Sequence, residues 1–261
     1  MNIPIYYIDA FTENLFSGNP AAVIFSDISD SLLMQNIAAE NNLSETAFIE
    51  KDDNKYYIRW FSPSCEIDLC GHATLASAYV YFNHIDKTQN EFVVHSKKNG
   101  LLRVYKKNDY LFLDFPTDHY EICNDYKAVE KALNIKPKEL YKGRDDILAI
   151  FDDEAVIKNL RPNFSNFKEI SVRGIIASAP GQHCDFVSRC FFPSTAVNED
   201  PVTGSAHTTL TPYWSNRLDK KELVAKQLSE RGGVLLCEDH NERIYIGGKA
   251  VQYLKGEISI D

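Results

Sequence analysis

The 261-residue sequence is short of several things, and each shortage removes a class of function. It has no basic surplus, since 28 Lys and Arg stand against 37 Asp and Glu, a formal charge of −9. Phosphate-backbone binding needs clustered cations, so nucleic acid is not the expected partner. A small anion stays possible, because a few local donors can hold one. No run approaches the roughly 18 apolar residues of a membrane span, so no membrane association is expected. The opening MNIPIYYIDAFTENLF has no basic region followed by an apolar run, and the expected compartment is therefore the cytoplasm. The six cysteines (65, 70, 123, 184, 190 and 237) have no CxxC spacing and are expected to be reduced thiols. No Gly-x-Gly-x-x-Gly stands between a strand and a helix. The GGK at 247–249 lacks the upstream glycine and the following hydroxyl of a phosphate loop. No cofactor is expected.

What the sequence does have is a long series of short β-rich runs. IPIYYI, AAVIF, TAFIE, KYYIRWF, EFVVH, LLRVY and YLFLDF fill the first 115 residues. ILAIF, GIIASA, CDFVSRCFF, GVLLC, RIYIG and LKGEISI follow. Strands this short and regular predict a closed or strongly curved sheet more than a parallel α/β sheet. Helices are predicted over about 29–41, 71–83, 127–133, 152–159 and 205–218.

An internal comparison sharpens this. RWFSPSCEIDLCGHATLASAYVYF begins at Arg59 and RCFFPSTAVNEDPVTGSAHTTLTPYW begins at Arg189. Both read Arg-x-Phe-x-Pro-Ser, then a polar loop, then Gly-x-Ala and a helix; the second loop is three residues longer. A pattern shared by corresponding halves predicts two structural repeats. The boundary is expected within 117–125, giving halves 1–120 and 121–261.

Each repeat starts its helix at a glycine. The residue before Gly71 is Cys70 rather than the Ser, Thr, Asp or Asn that usually caps a helix. Uncapped helix starts offer free N–H groups and partial positive charge, which attract carboxylates, and glycine lets a ligand approach closely. If the halves face each other, the amides at Gly71 and at Gly204–Ser205 would serve one carboxylate.

Four ordered blocks carry a resemblance to a known family: DAFTENLFSGNPAAVIF (9–25), NNLSETAFIE (41–50), EIDLCGHATLASA (66–78) and NEDPVTGSAH (198–207). They resemble the phenazine-biosynthesis PhzF-like family along nearly the whole chain. The resemblance implies an α+β fold similar to diaminopimelate epimerase. That fold has two pseudo-symmetric halves, each a mostly antiparallel barrel-like sheet wrapped around a central helix. It also implies a cofactor-independent isomerase, commonly a homodimer, with a small carboxylic acid as substrate. On this resemblance Glu45 is the acid/base, with His72 and Asp200 as assisting catalytic residues. Gly71, Gly204 and Ser205 bind the substrate carboxylate, and Asn19 and Cys70 belong to the same binding group. The departure is that Cys70 has no thiol counterpart, because Thr203 occupies the matching place in the second half.

Each candidate also has an ordinary reading. Glu45 could be a solvated strand-edge carboxylate, His72 a plain helix residue, and Asp200 an Asx turn before Pro201. Cys70 could be a small buried hydrophobe, or the base of a racemase, its pKa lowered by the helix start. Cys65, Cys70 and His72 lack a fourth ligand at zinc spacing, so no metal is expected. Ser205 and His207 are too close on one helix to form a nucleophile and base. The alternatives to the isomerase are the Cys70 racemase and a non-catalytic ligand-binding protein of the same fold.

Overall fold

The structure is a computed structural model and describes residues 2–195 and 197–260. Contacts divide the chain into two compact units, Met1–Asp114 with Gly247–Asp261, and Phe115–Ile246. The expected halves 1–120 and 121–261 need correcting at the C-terminus. Strand Ala250–Ser259 pairs antiparallel with strand Asn2–Ala10 and so returns to the first unit.

In the first unit, strand Asn19–Phe25 runs parallel to Glu45–Asp52, which is antiparallel to Lys55–Phe61. Lys55–Phe61 is parallel to Glu91–Ser96, which is antiparallel to Gly100–Lys107. In the second unit, Asp146–Ile150 runs parallel to Gly174–Pro180, which is antiparallel to Phe186–Phe192. Phe186–Phe192 is parallel to Glu222–Gln227, which is antiparallel to Gly233–Asp239. The two series of pairing directions are the same. The shared motif beginning at Arg59 and Arg189 starts in the third strand of each series.

Among the described residues, five α-helices accompany the sheets: α1 (Ser31–Asn41), α2 (Gly71–Val80), α3 (Tyr126–Leu133), α4 (Glu154–Asn159) and α5 (His207–Leu218). In each unit one helix joins the third and fourth strands of the series, α2 in the first and α5 in the second. α2 touches the strands Asn2–Ala10, Asn19–Phe25, Glu45–Asp52, Gly100–Lys107 and Ala250–Ser259. It is buried on all sides except at Gly71 and Tyr79, which is why GHATLASAYV shows no amphipathic stripe. Its hydroxyls donate back to the chain, Thr74 Oγ1 to Cys70 O at 2.6 Å and Ser77 Oγ to Ala73 O at 2.7 Å. They therefore add no unsatisfied polar group. The expected 71–83 helix is regular to Val80, and Tyr81–Ile85 continue as a π turn.

The opposite face of each sheet is covered as well. Ile24, Phe48 and Phe61 pack on Met34 and Ile37 of α1 in the first unit. Ala177, Val187 and Phe191 pack with Val129 of α3 and Ile157 of α4 in the second. Strands buried on both faces read as continuous apolar runs, and FVSRCFF is buried at all seven positions. Among the described residues no helix is long and apolar enough to cross a membrane. All six cysteines are free thiols.

Candidate functional site

Side chains alternate along a strand, so Glu45 shares a face with Ala47, opposite Phe48 and the α1 cluster. The parallel neighbour pairs Ala21 with Glu45, which places Asn19 on the same side. The tight turn before Asn19 needs Gly18: its φ is +68°, and a Cβ there would lie 2.2 Å from Ala10 O. Glu45 and Asn19 therefore face the first turn of α2.

There they meet His72. Its Nε2 lies 3.0 Å from Glu45 Oε2, with side chains only 7% and 17% exposed. The contact is short but off the direction of a hydrogen bond, and Oε2 is buried with no hydrogen-bond partner. Asn19 Nδ2 lies 3.1 Å from Nδ1 of the same ring, and Cys70 Sγ lies 3.5 Å from Nδ1 and 3.9 Å from Nε2. Cys70 is the extended N-cap of α2 and makes no side-chain capping bond. The first amides of the helix therefore have no capping partner from it.

The electrostatics separate the three groups. Burial pulls the His72 pKa down, but the Cys70 sulfur and the Glu45 carboxylate outweigh it and hold the imidazole well above its usual value. Cys70's share requires a thiolate, which its own raised pKa withholds at neutral pH, so Glu45 is the effective partner. The Cys70 thiol is pushed up by burial and then by Glu45. This reverses the lowered pKa expected at a helix start. The dipole's partial charge does not compensate for removing a thiolate from water.

In the second unit, Asp200 ends the short strand Val197–Asp200, and its Oδ2 accepts from Thr203 Oγ1 at 2.6 Å. Gly204–Ala206 form a turn and α5 begins at His207, two residues later than expected. The amides of Gly204 and Ser205 thus belong to a turn rather than to the helix proper. Ser205 Oγ accepts from the Arg173 guanidinium at 3.3 Å, and Arg173 is itself paired with the buried Asp146.

Sequence reasoning missed three residues that shape this turn. Gln227 is buried, accepts from Thr203 N at 2.9 Å and donates to Asp200 O at 2.8 Å. His207 Nδ1 lies 2.8 Å from Thr203 O, and burial lowers its pKa to about 4, so the ring is neutral. Arg173 is the third. None sits in a motif that spacing reveals, although His207 lies inside the GSAH block. Among the described residues one set of three metal-competent donors is close together: Glu45, Cys70 and His72, within 4.8 Å of one another. Cys65, the other sulfur considered from sequence, is exposed and bonded within the Ser62–Cys65 turn instead.

The family described as phenazine biosynthesis-like protein (PhzC-PhzF) matches residues 8–256. An uncharacterized isomerase of Halalkalibacterium halodurans is 44% identical over 264 residues, covering 99% of each chain. A crystal structure of a PhzF-family protein from Enterococcus faecalis superposes with a TM-score of 0.96 at 46% identity, covering 100% of both chains. A hydroxyproline epimerase from Agrobacterium vitis shares the fold alone, with a TM-score of 0.63 at 9% identity over 100% of this chain and 93% of that one.

Proposed function

The chain belongs to the phenazine biosynthesis-like (PhzF) family, and on that premise we propose that it is a cofactor-independent isomerase that moves a proton on a small carboxylic acid. The observation that carries the proposal is the buried Glu45–His72 contact at the start of α2. A carbon acid needs a base and a place for the developing negative charge, and this cluster offers both.

In the proposed reaction the substrate carboxylate lies against the free amides at Gly71 and His72, whose dipoles favour an anion. The Glu45 carboxylate takes a proton from carbon and becomes a carboxylic acid. The electron pair moves onto the substrate carboxyl as enolate charge, which the amides and the His72 imidazolium stabilise. Glu45 then returns the proton to the same carbon or to another one, which gives epimerisation or isomerisation. Asn19 touches His72 in the structure, so its assigned role is to orient the ring rather than to hold substrate. Asp200, Gly204 and Ser205 are proposed as substrate contacts on the family's pattern, and Thr203 and Gln227 keep their turn in shape. A homodimer is part of the same proposal and rests on the resemblance.

Cys70 is assigned no proton. Its raised pKa keeps it a thiol, and the second unit places Thr203 where a partner thiol would stand. The test is incubation in heavy water with a panel of carboxylic acids, read by mass spectrometry. Wild type should incorporate deuterium into one class of them. Glu45→Gln should lower that rate by about 10²-fold or more, the usual worth of a general acid/base. Binding of an acid with no exchange in the wild type would point to the ligand-binding alternative.

A further inference from the structure

We infer that Arg173, anchored on Asp146, is a positioning residue that fixes the Ser205 hydroxyl as a hydrogen-bond donor aimed at an acceptor oxygen of the substrate. The inference rests on the proposed contact between this turn and the substrate carboxylate, and it supplies the chemistry of that contact.

All the residues concerned lie in the second unit, and the guanidinium is held there from several sides. Asp146 is buried and accepts from Arg173 Nε at 2.9 Å and from Nη2 as well. The Phe192 ring centre lies 4.6 Å from Cζ. The backbone is tied down too: Arg173 N donates to Asp145 O at 2.8 Å, and its carbonyl accepts from Ser194 Oγ at 2.6 Å. A planar fork bound at two nitrogens cannot turn without losing both bonds. The same Nη2 also donates to Ser205 Oγ at 3.3 Å.

The polarity of this last bond decides what Ser205 can do. A guanidinium has donors and no acceptor, so Ser205 Oγ must be the acceptor towards it. The hydroxyl proton then points elsewhere, and no described residue accepts it. The remaining contacts of Ser205 belong to its carbonyl, which accepts from Thr208 N at 3.1 Å and Thr208 Oγ1 at 2.7 Å. Ser205 is half-buried, so its proton is within reach of a ligand at the turn. Accepting a bond from a cation also polarises the O–H and strengthens it as a donor. The group that meets Ser205 must therefore accept: an ionised carboxylate oxygen fits, and an ammonium does not.

The test uses the full-length protein and Arg173→Lys, in which a single ammonium can stay on Asp146 but has no fork to reach Ser205. Crystal structures of the two, without added acid, should show one Ser205 χ1 rotamer in wild type and several in the variant. A single unchanged rotamer in Arg173→Lys overturns the inference. Acetate, titrated into isotope-labelled protein, should shift the Gly204 and Ser205 amide resonances of wild type. Ser205→Ala should weaken acetate at least about tenfold, the usual worth of a hydrogen bond to a charged group. Arg173→Lys should weaken it to a similar extent, and the double variant no further than Ser205→Ala alone. If Arg173→Lys weakens acetate as much in the Ser205→Ala background as in wild type, it does not act through the hydroxyl and the inference fails. If Arg173→Lys does not fold, Arg173→Gln combined with Asp146→Asn, which removes both charges, makes the same test. Rotamer loss in a protein whose turn ignores acetate would support the positioning role, while the carboxylate reading of the turn failed by itself.

Discussion

The start of α2 and the turn before α5 are built to one plan and put to different uses. Arg59 pairs with Glu66 through Nε and a terminal nitrogen, at 2.7 Å each, and Arg189 pairs with Glu199 in the same way at 2.7 and 2.8 Å. Each glutamate lies four residues before the Cys70 or Thr203 position. Thr74 and His207, each four residues after it, bond to its carbonyl oxygen. The difference lies opposite the glycine. Arg59 pairs with Phe48 and Arg189 with Ala177, so the place of Glu45 falls on Gly174 in the second unit. A Cβ at Gly174 would lie 2.1 Å from Phe191 O, so no carboxylate fits there. One scaffold thus carries an ionisable cluster in the first unit and a neutral turn, Asp200 aside, in the second. The lesson is that a repeat in sequence predicts shared framework, and that chemistry follows from what each copy's neighbouring strand can accommodate.

The largest expected effect that tests this comparison is at the shared arginine. Arg189 and Glu199 are 11% and 23% exposed, and Arg189 also donates to Ile157 O and Leu160 O. Arg189→Met should cost about 3–5 kcal/mol in denaturant unfolding, because Glu199 and two carbonyls lose their donor. Arg59 and Glu66 are 27% and 43% exposed, and Arg59→Met should cost under about 1 kcal/mol. Equal losses would mean that the two copies bear the same mechanical role.

The next effect concerns the two histidines, which respond to pH in opposite senses. His207 has a depressed folded pKa of about 4 against an ordinary 6.5. Below pH 6.5 the unfolded chain takes up a proton that the folded one refuses. Stability is therefore present above that value and falls towards pH 4, by on the order of 3 kcal/mol. His207→Gln should remove this share of the acid loss, and an unchanged slope would contradict it. His72 is raised, so its share is full below 6.5 and disappears as pH rises through its folded value.

A smaller effect is expected at Gly174. Gly174→Ala forces a methyl against Phe191 O and the Phe192 ring and should cost about 1–3 kcal/mol, the usual price of overpacking. A stable variant would remove the steric reason for the missing acid.

Much of this framework was legible in the sequence. The strands, the glycine-led start of α2 and the extra three residues of the second loop follow from apolar runs and from the Arg-x-Phe-x-Pro-Ser repeat, whereas α5 starts only after the Gly204–Ala206 turn. The return of Ala250–Ser259 to the first unit was not, because strand pairing across 240 residues leaves no local signal. Glu45 and His72 were singled out through the family blocks and lie together in the structure, whereas Gln227 and Arg173 act through tertiary contacts that no spacing encodes. The direction of the Cys70 shift was misread because burial, a tertiary quantity, overrides the local helix-start rule.

The central claim is that the first copy's carboxylate, not its thiol, moves the proton. The direct measurement is deuterium incorporation by Glu45→Gln and Cys70→Ala, side by side with wild type on the same carboxylic acid in heavy water. The account predicts a loss of about 10²-fold or more for the glutamine variant and less than about tenfold for the alanine variant. An inactive Cys70→Ala beside an active Glu45→Gln would contradict it.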